Sequence, residues 1–156
     1  MHIRLIAIGD RQPAWVNGAV ESYAKRLPVQ WRFRLEQVAV AARPNESDAQ
    51  KAVEVEGLSV LRRVKAAERV VALDERGKQL SSGELSGTLG DWQQDGRDVA
   101  LVIGGPDGLS QECLGRAEFR WSLSRLTLPH GLARVIVVEQ LYRAWSLTEG
   151  HPYHRA

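Results

Sequence analysis

The chain reads as an α/β protein with a mainly parallel sheet flanked by helices. Strand-like and helix-like segments alternate from end to end, the order expected of an α/β sandwich. Val70 to Leu73 and Val99 to Ile103 are unbroken apolar runs, as strands buried on both faces are. Two Gly/Pro-containing turns, Gly104-Gly105-Pro106 and Leu128-Pro129-His130, directly follow strand-like segments. Such positions, at the carboxyl ends of parallel strands, leave backbone groups free for a ligand.

In chain order, His2 to Ile8 predicts the first strand and Pro13 to Leu27 the first helix. Trp31 to Val40 predicts a second strand, closed by the turn-prone Ala42-Arg43-Pro44-Asn45. Ser47, with Gln50 three residues on, predicts the start of a helix running to about Ala67. The third strand, from Val70 to Leu73, should end on Asp74. Ser81 and Glu84 form a second capping box, for a helix ending at Gly96. Val99 to Ile103 is the clearest strand. Ser110 can cap a short helix, Gln111 to Phe119. Trp121 to Leu128 predicts a fifth strand, stopped by Pro129. A final helix from Leu132 to Leu147 carries apolar residues on more than one stripe, including Val135, Val137, Val138, Leu141, Tyr142 and Trp145. One packed face needs about 100° of arc. The excess fits either a subunit interface or an unusually central helix.

At 156 residues, with 44% hydrophobic and 26% charged residues, the chain has the size and composition of one globular domain spanning 1–156. No run is long enough for a membrane span, and Arg4 interrupts the apolar start. The single cysteine, Cys113, excludes an internal disulfide and fits a cytoplasmic location, with the thiol a small buried hydrophobe. A net charge of +2 does not by itself predict a nucleic-acid partner. Arginine outnumbers lysine 17 to 4, which suits phosphate recognition and equally suits a GC-rich coding sequence.

The glycines of Ile103-Gly104-Gly105-Pro106-Asp107-Gly108 let a ligand approach the main chain, or simply make a tight turn. Their spacing is neither the dinucleotide fingerprint nor a Walker A loop, which disfavours nicotinamide and nucleoside-triphosphate enzymes. Leu123 to His130 offers either a groove reading an adenine edge through backbone groups or a buried strand stopped by proline. His151 and His154 are spaced H-x-x-H with no cysteine near, and stable sites need three or four ligands, so no metal is expected. Tyr153, His154 and Arg155 combine a stacking surface, a titratable donor and a phosphate fork, the side chains that hold an unstacked RNA base. Glu139 and Arg143, four apart, predict a surface ion pair. No hydrolytic triad or H-E-x-x-H motif occurs.

Taken together, these segments resemble the SPOUT-class 23S rRNA (pseudouridine-N3)-methyltransferases, essentially from end to end. The likeness also takes in Ala7-Ile8-Gly9, Tyr23, Leu73-Asp74, Asp95-Gly96-Arg97-Asp98, Leu141-Tyr142-Arg143-Ala144-Trp145 and His151-Pro152-Tyr153-His154-Arg155. The resemblance implies a SPOUT (α/β knot) fold whose C-terminal part threads into a trefoil knot. It implies that the knot binds S-adenosyl-L-methionine through Leu73, Gly104, Leu123, Ser124, Arg125, Leu126, Thr127 and Leu128. It further implies a homodimer in which one subunit's tail completes the other's active site, with 23S rRNA in the assembled ribosome as substrate. The chain departs from the family pattern at Asp107, where glutamate is usual, at Gly131, where a more restrictive residue is common, and at the apolar terminal Ala156.

The implied reaction is in-line displacement of a sulfonium methyl by N3 of a pseudouridine, so alignment and removal of the imide proton carry the catalysis. His154 is the first choice as proton acceptor or polariser, Arg155 for phosphate or carbonyl charge, and Tyr153 for stacking. His130 and Arg143 come second. The competing class is a module that binds RNA or a nucleotide without chemistry.

Overall fold

The computed structural model describes residues 1–155; Ala156 lies outside them. The sheet has five strands, all parallel, in the order β2-β1-β4-β3-β5. They are β1 (Ile3–Ile8), β2 (Arg34–Val38), β3 (Arg69–Gln79), β4 (Val99–Ile103) and β5 (Phe119–Ser122). The helices are α1 (Ala14–Ala24), α2 (Ala49–Leu61), α3 (Ser82–Asp95), α4 (Gln111–Arg116) and α5 (His130–Thr148).

Alternation along the central strands divides the core in two. Ile3, Leu5 and Ala7 of β1, with Val99, Leu101 and Ile103 of β4, face α1, α3 and α5. Ile6, Ile8, Ala100 and Val102 face Val60 of α2 and Cys113 of α4. Cys113 is buried, which pushes its thiol pKa up, as a packing residue's would be. Among the described residues, no helix is long and apolar enough to cross a membrane.

Local chemistry explains where the sequence reading holds. Ser81 Oγ accepts from the Glu84 amide and the Glu84 carboxylate accepts from the Ser81 amide, and Gly96 closes α3 in the left-handed region (φ 77°). Ser110 Oγ accepts from the Cys113 amide to start α4, which stops at Arg116 rather than Phe119.

Other boundaries differ as well. Trp31 ends a 3₁₀ turn, Val29–Trp31, and Arg32 follows in the left-handed region (φ 44°), so β2 starts only at Arg34. The capping box before α2 is Asn45 with Asp48 across a 3₁₀ turn, not Ser47 with Gln50, and α2 ends at Leu61. β3 runs on to Gln79: Leu73 and Lys78 both pair with Trp121, so residues 74–77 bulge out between them. β5 stops at Ser122, leaving 123–129 as a loop. The apolar leucines of that loop imitate a strand, but they face a cavity instead of a ladder.

Helix α5 packs on α1 and α3 across the face of the sheet. Helices α1 and α5 run in the same direction. Val16 lies beside Gly131 at one end, and at the other Arg26, which directly follows the helix, places its guanidinium over both Tyr23 and Tyr142. Trp15 (61% exposed) and Leu132 (36% exposed) leave an apolar area uncovered at the shared amino-terminal end.

Candidate functional site

The carboxyl ends of β3, β4 and β5 open into a cavity of about 580 Å³. Three chain segments wall it: the β3 bulge at Asp74, Glu75 and Arg76; the loop Gly104 to Leu109; and the loop Leu123 to Pro129 leading into His130. Leu73, Gly104, Leu123, Ser124, Leu126, Thr127 and Leu128 all line it. Arg125 is exposed and is not among the lining residues.

The glycine loop proves to be both a tight turn and a cavity wall. A Cβ on Gly104 would stand 2.5 Å from the Gly108 carbonyl carbon and 2.8 Å from the Leu109 amide nitrogen. Gly105 pairs with Gly108 across the turn, and the Gly108 amide donates to the Gly105 carbonyl at 3.1 Å. The missing Cβ therefore serves the loop's own closure, which in turn shapes the wall. Asp107 Oδ2 accepts from Arg43 Nε at 2.7 Å, and Arg43 also donates to the buried Glu56 at 2.6 and 3.2 Å. The shorter acid at 107 thus still reaches a partner. Although burial opposes it, this pair of carboxylates raises the Arg43 pKa, with Glu56 the stronger influence.

The facing loop is held by its own side chains. Ser122 Oγ donates to the Ser124 carbonyl at 3.0 Å, Ser124 Oγ accepts from the Leu126 amide at 2.9 Å, and Thr127 Oγ1 donates to Glu75 Oε2 at 2.9 Å. Leu126 remains 74% exposed at the mouth. Below it, Asp74 accepts from the Arg76 amide through Oδ1 at 3.2 Å, while its Oδ2 is buried without a partner. Buried acceptors are nearly always paired, so this one marks a place for a donor.

A second cavity of about 420 Å³ lies at the carboxyl ends of β1 and β2, lined by Gly9 to Gln12, Ala39, Val40 and His130. Beneath it, Arg134 is fully buried; its Nη2 donates to the Gly9 carbonyl at 3.1 Å, and its Nε and Nη1 have no partner. Burial lowers the Arg134 pKa. Burial, then the Arg134 charge, lowers that of His130, with Glu56 opposing. Gly9 takes φ 121°, and a Cβ there would meet Gln12 Nε2 at 2.9 Å and His130 Nε2 at 3.3 Å.

The tail lies elsewhere. After Gly150, residues Pro152–Arg155 form a 3₁₀ turn folded back along α5. Tyr153 donates its hydroxyl to Glu139 Oε1 at 3.0 Å and packs its ring 4.6 Å from that of Tyr142, with the Arg143 guanidinium 5.0 Å over its face. Burial, reinforced by hydroxyl hydrogen bonds and the Glu139 charge, pushes the Tyr153 pKa up. Glu139 and Arg143 pair at 2.8 Å, but both are mostly covered and belong to this cluster rather than to an open surface. His154 contacts the His151 carbonyl through Nδ1, and Arg155 is exposed. None of Tyr153, His154 and Arg155 lines either cavity. Glu139, the tail's anchor, is nine residues along α5 from His130, about 14 Å at the helical rise.

Sequence reasoning missed Arg43, Glu56, Asp74 as an orphaned acceptor, Gln12 and Arg134. A charged residue inside the α5 apolar stripe was the available signal for Arg134; Glu56 gave the same signal in α2. Among the described residues, no group of three or more His, Cys, Asp or Glu side chains is placed to hold a metal.

The family described as "Predicted SPOUT methyltransferase" matches residues 1–154. A protein of Thioalkalivibrio sulfidiphilus named "Ribosomal RNA large subunit methyltransferase H" is 50% identical over 155 residues, covering 99% of each chain. One of the same name from Saccharophagus degradans is 48% identical, covering 99% of this chain and all of its own. Among solved structures, a methylase family protein from Neisseria gonorrhoeae shares the fold at a TM-score of 0.55 and 20% identity, covering 90% of this chain and 81% of its own. One from Haemophilus influenzae does so at 0.56 and 13%, covering 97% and 69%. With its parallel sheet, its carboxyl-edge cavity and this end-to-end match, the chain belongs to the SPOUT methyltransferase family.

Proposed function

We propose that this protein is an S-adenosylmethionine-dependent methyltransferase that modifies N3 of a pseudouridine in 23S rRNA, on the assembled ribosome, as a cytoplasmic homodimer. The observation that carries the reading is the near-half identity, over the whole chain, to proteins named ribosomal RNA large subunit methyltransferase H.

The larger cavity fits the cofactor. Its walls offer leucines for an adenine ring and backbone groups at 123–128 for the ring edge. Its floor offers the orphaned Asp74 Oδ2 for an ammonium or hydroxyl donor. Asp74, Glu75 and Asp107 supply negative charge that suits a cation. Bound there, S-adenosylmethionine supplies a methyl group activated by a positively charged sulfur. Leu73, Gly104 and the run Leu123, Ser124, Arg125, Leu126, Thr127 and Leu128 form this site in the proposal, with Arg125 contributing through its backbone. The trefoil knot belongs to the same proposal: β3 and β5 pair twice around the bulge, and the loops at 104–109 and 123–129 meet at one cavity.

Distance supports the dimer. Each chain folds its own tail against the carboxyl-terminal half of α5, away from its cavities, and leaves Trp15 and Leu132 uncovered at the other end. A two-fold axis perpendicular to the parallel α1 and α5 pair would cover that apolar area and bring each tail to the opposite chain's cavities. There the partner subunit's His154 would polarise a base carbonyl, the partner subunit's Arg155 would hold phosphate, and the partner subunit's Tyr153 would stack.

The test is transfer of labelled methyl from S-adenosylmethionine to intact ribosomes, to free 23S rRNA and to ribosomes lacking the pseudouridine. Label in intact ribosomes alone is expected. Cofactor binding without label in any of the three would point to a different RNA. Neither binding nor label would remove the methyltransferase reading.

A further inference from the structure

In-line transfer needs an acceptor nitrogen about 3–3.5 Å from the methyl carbon, so the acceptor's pocket must open onto the cofactor's. The two cavities lie along the same carboxyl edge of the sheet, and His130 lines both. The larger lies at β3, β4 and β5; the smaller lies at β1 and β2. The His130 ring directs Nε2 toward Gly9, the first residue of the smaller cavity. Among the described residues, neither its ring nor the Gln12 side-chain amide has a hydrogen-bond partner.

Resting on the function proposed above, we propose that the cavity at the ends of β1 and β2 receives the pyrimidine ring, and that His130 is the catalytic residue that takes its imide proton. About 420 Å³ is ample for one nucleobase. The Gln12 amide, lying against Gly9 through Nε2 and against Gly131 through Oε1, presents a donor and an acceptor, the complement of a pyrimidine carbonyl and N–H. Arg11 stands exposed at the rim for a phosphate.

The step balances as follows. The bond between N3 and the methyl carbon forms as the carbon–sulfur bond breaks, whose electron pair stays on sulfur. The N3 proton passes to His130, and solvent later removes it. The positive charge on the sulfur therefore passes to the imidazole, so no additional charge is buried during the reaction. Before that moment the ring must be neutral. Three features keep it so: partial burial, the Arg134 guanidinium one helical turn away, and the amino-terminal end of α5, where a positive charge is disfavoured. Glu56 opposes them from α2, and Asp10 and Arg11 face the same cavity with opposite charges.

The test has two arms. The first compares H130Q with the wild type in single-turnover methylation of ribosomes across pH, alongside calorimetric binding of S-adenosylhomocysteine. The expected result is a rate about 100-fold lower or worse, a change in cofactor affinity far smaller than that, and loss of the acidic limb expected of the wild type below pH about 6.5. The second arm needs no variant. Pseudouridine 5′-monophosphate is added to the isotope-labelled wild type loaded with S-adenosylhomocysteine, and NMR shifts are mapped. Movement at Gly9, Gln12, Ala39, Val40 and the His130 ring is expected. A wild-type rate or an intact acidic limb in H130Q overturns the proposal, as do shifts that bypass Gly9 to Gln12. A wild type that methylates no RNA overturns the underlying function instead.

Discussion

The two edges of the sheet are built on opposite rules. At the amino edge almost every charge is spent on another. Arg4 reaches Glu36 at 2.6 Å, Glu68 at 2.6 and 2.9 Å, and the Arg63 carbonyl at 2.8 Å. Arg97 grips Glu118 through two bonds of 2.6 and 2.9 Å, Arg69 pairs with Asp95 at 2.8 Å, and the His2 amide donates to Asp98 at 2.7 Å. Among the described residues, Arg69 Nη1 and the Trp31 Nε1 just ahead of β2 are left over. At the carboxyl edge Asp74 Oδ2 and two nitrogens of Arg134 are buried without partners, and His130 and Gln12 stand open to a cavity. Unpaired buried polar groups cost stability. A fold carries them where a ligand completes the set, and the paired edge offsets the loss.

The largest expected effect breaks the paired edge. Glu68→Ala leaves the Arg4 guanidinium, 14% exposed, short of its main partner, and should cost about 3–5 kcal/mol in urea denaturation while cofactor affinity stays unchanged. Burial opposes ionisation of Glu68, but Arg4 and the Lys65 amide hold its pKa below the ordinary value of 4.5. A folded-state pKa so depressed means the contribution is complete above about pH 4.5 and fades as pH falls through the folded value. The milder Glu68→Gln should therefore flatten the stability profile on that acidic side. An unaltered profile would assign the acid sensitivity to other carboxylates.

Next in size is Gly104→Ala, at the open edge. Its Cβ meets loop backbone, which cannot swing aside, so the wall must shift at a cost of about 1–3 kcal/mol. Calorimetry should show cofactor affinity falling roughly 10- to 100-fold with the sheet still folded. Full affinity would mean the cofactor does not depend on this loop.

His154→Ala sharpens the comparison from the tail. Single-turnover methylation should fall on the order of 100-fold, with cofactor binding and folding stability nearly unchanged. Unchanged turnover would remove His154 from the mechanism.

The smallest effect carries an inverted sign. Arg134→Met removes a buried, half-satisfied cation and fills its space, so thermal stability should hold or rise by about 1 kcal/mol. Methyl transfer should nevertheless drop, because the charge behind His130 is gone. A strongly destabilised variant would make Arg134 a structural residue like Arg4.

Sequence patterns determined what is local. Apolar runs announced β4 and the start of β3, because strands covered on both faces must be apolar throughout. Ser81 with Glu84 and Ser110 announced helix starts, because a cap acts within three residues of its own chain. The positions that line the larger cavity were singled out through resemblance, as whole segments in a fixed order. Tertiary structure alone decided what depends on distant partners. The leucines at 123–128 became a cavity wall instead of a strand because β3 bulges at Asp74 and pairs with β5 only as far as Ser122. Arg43 meets Asp107 across 64 residues, and Arg134 meets Gly9 across 125. Those meetings, and the separation of the tail from both cavities, have no signature in neighbouring residues. They arise from strand order and helix direction, which bring together segments that the sequence keeps far apart.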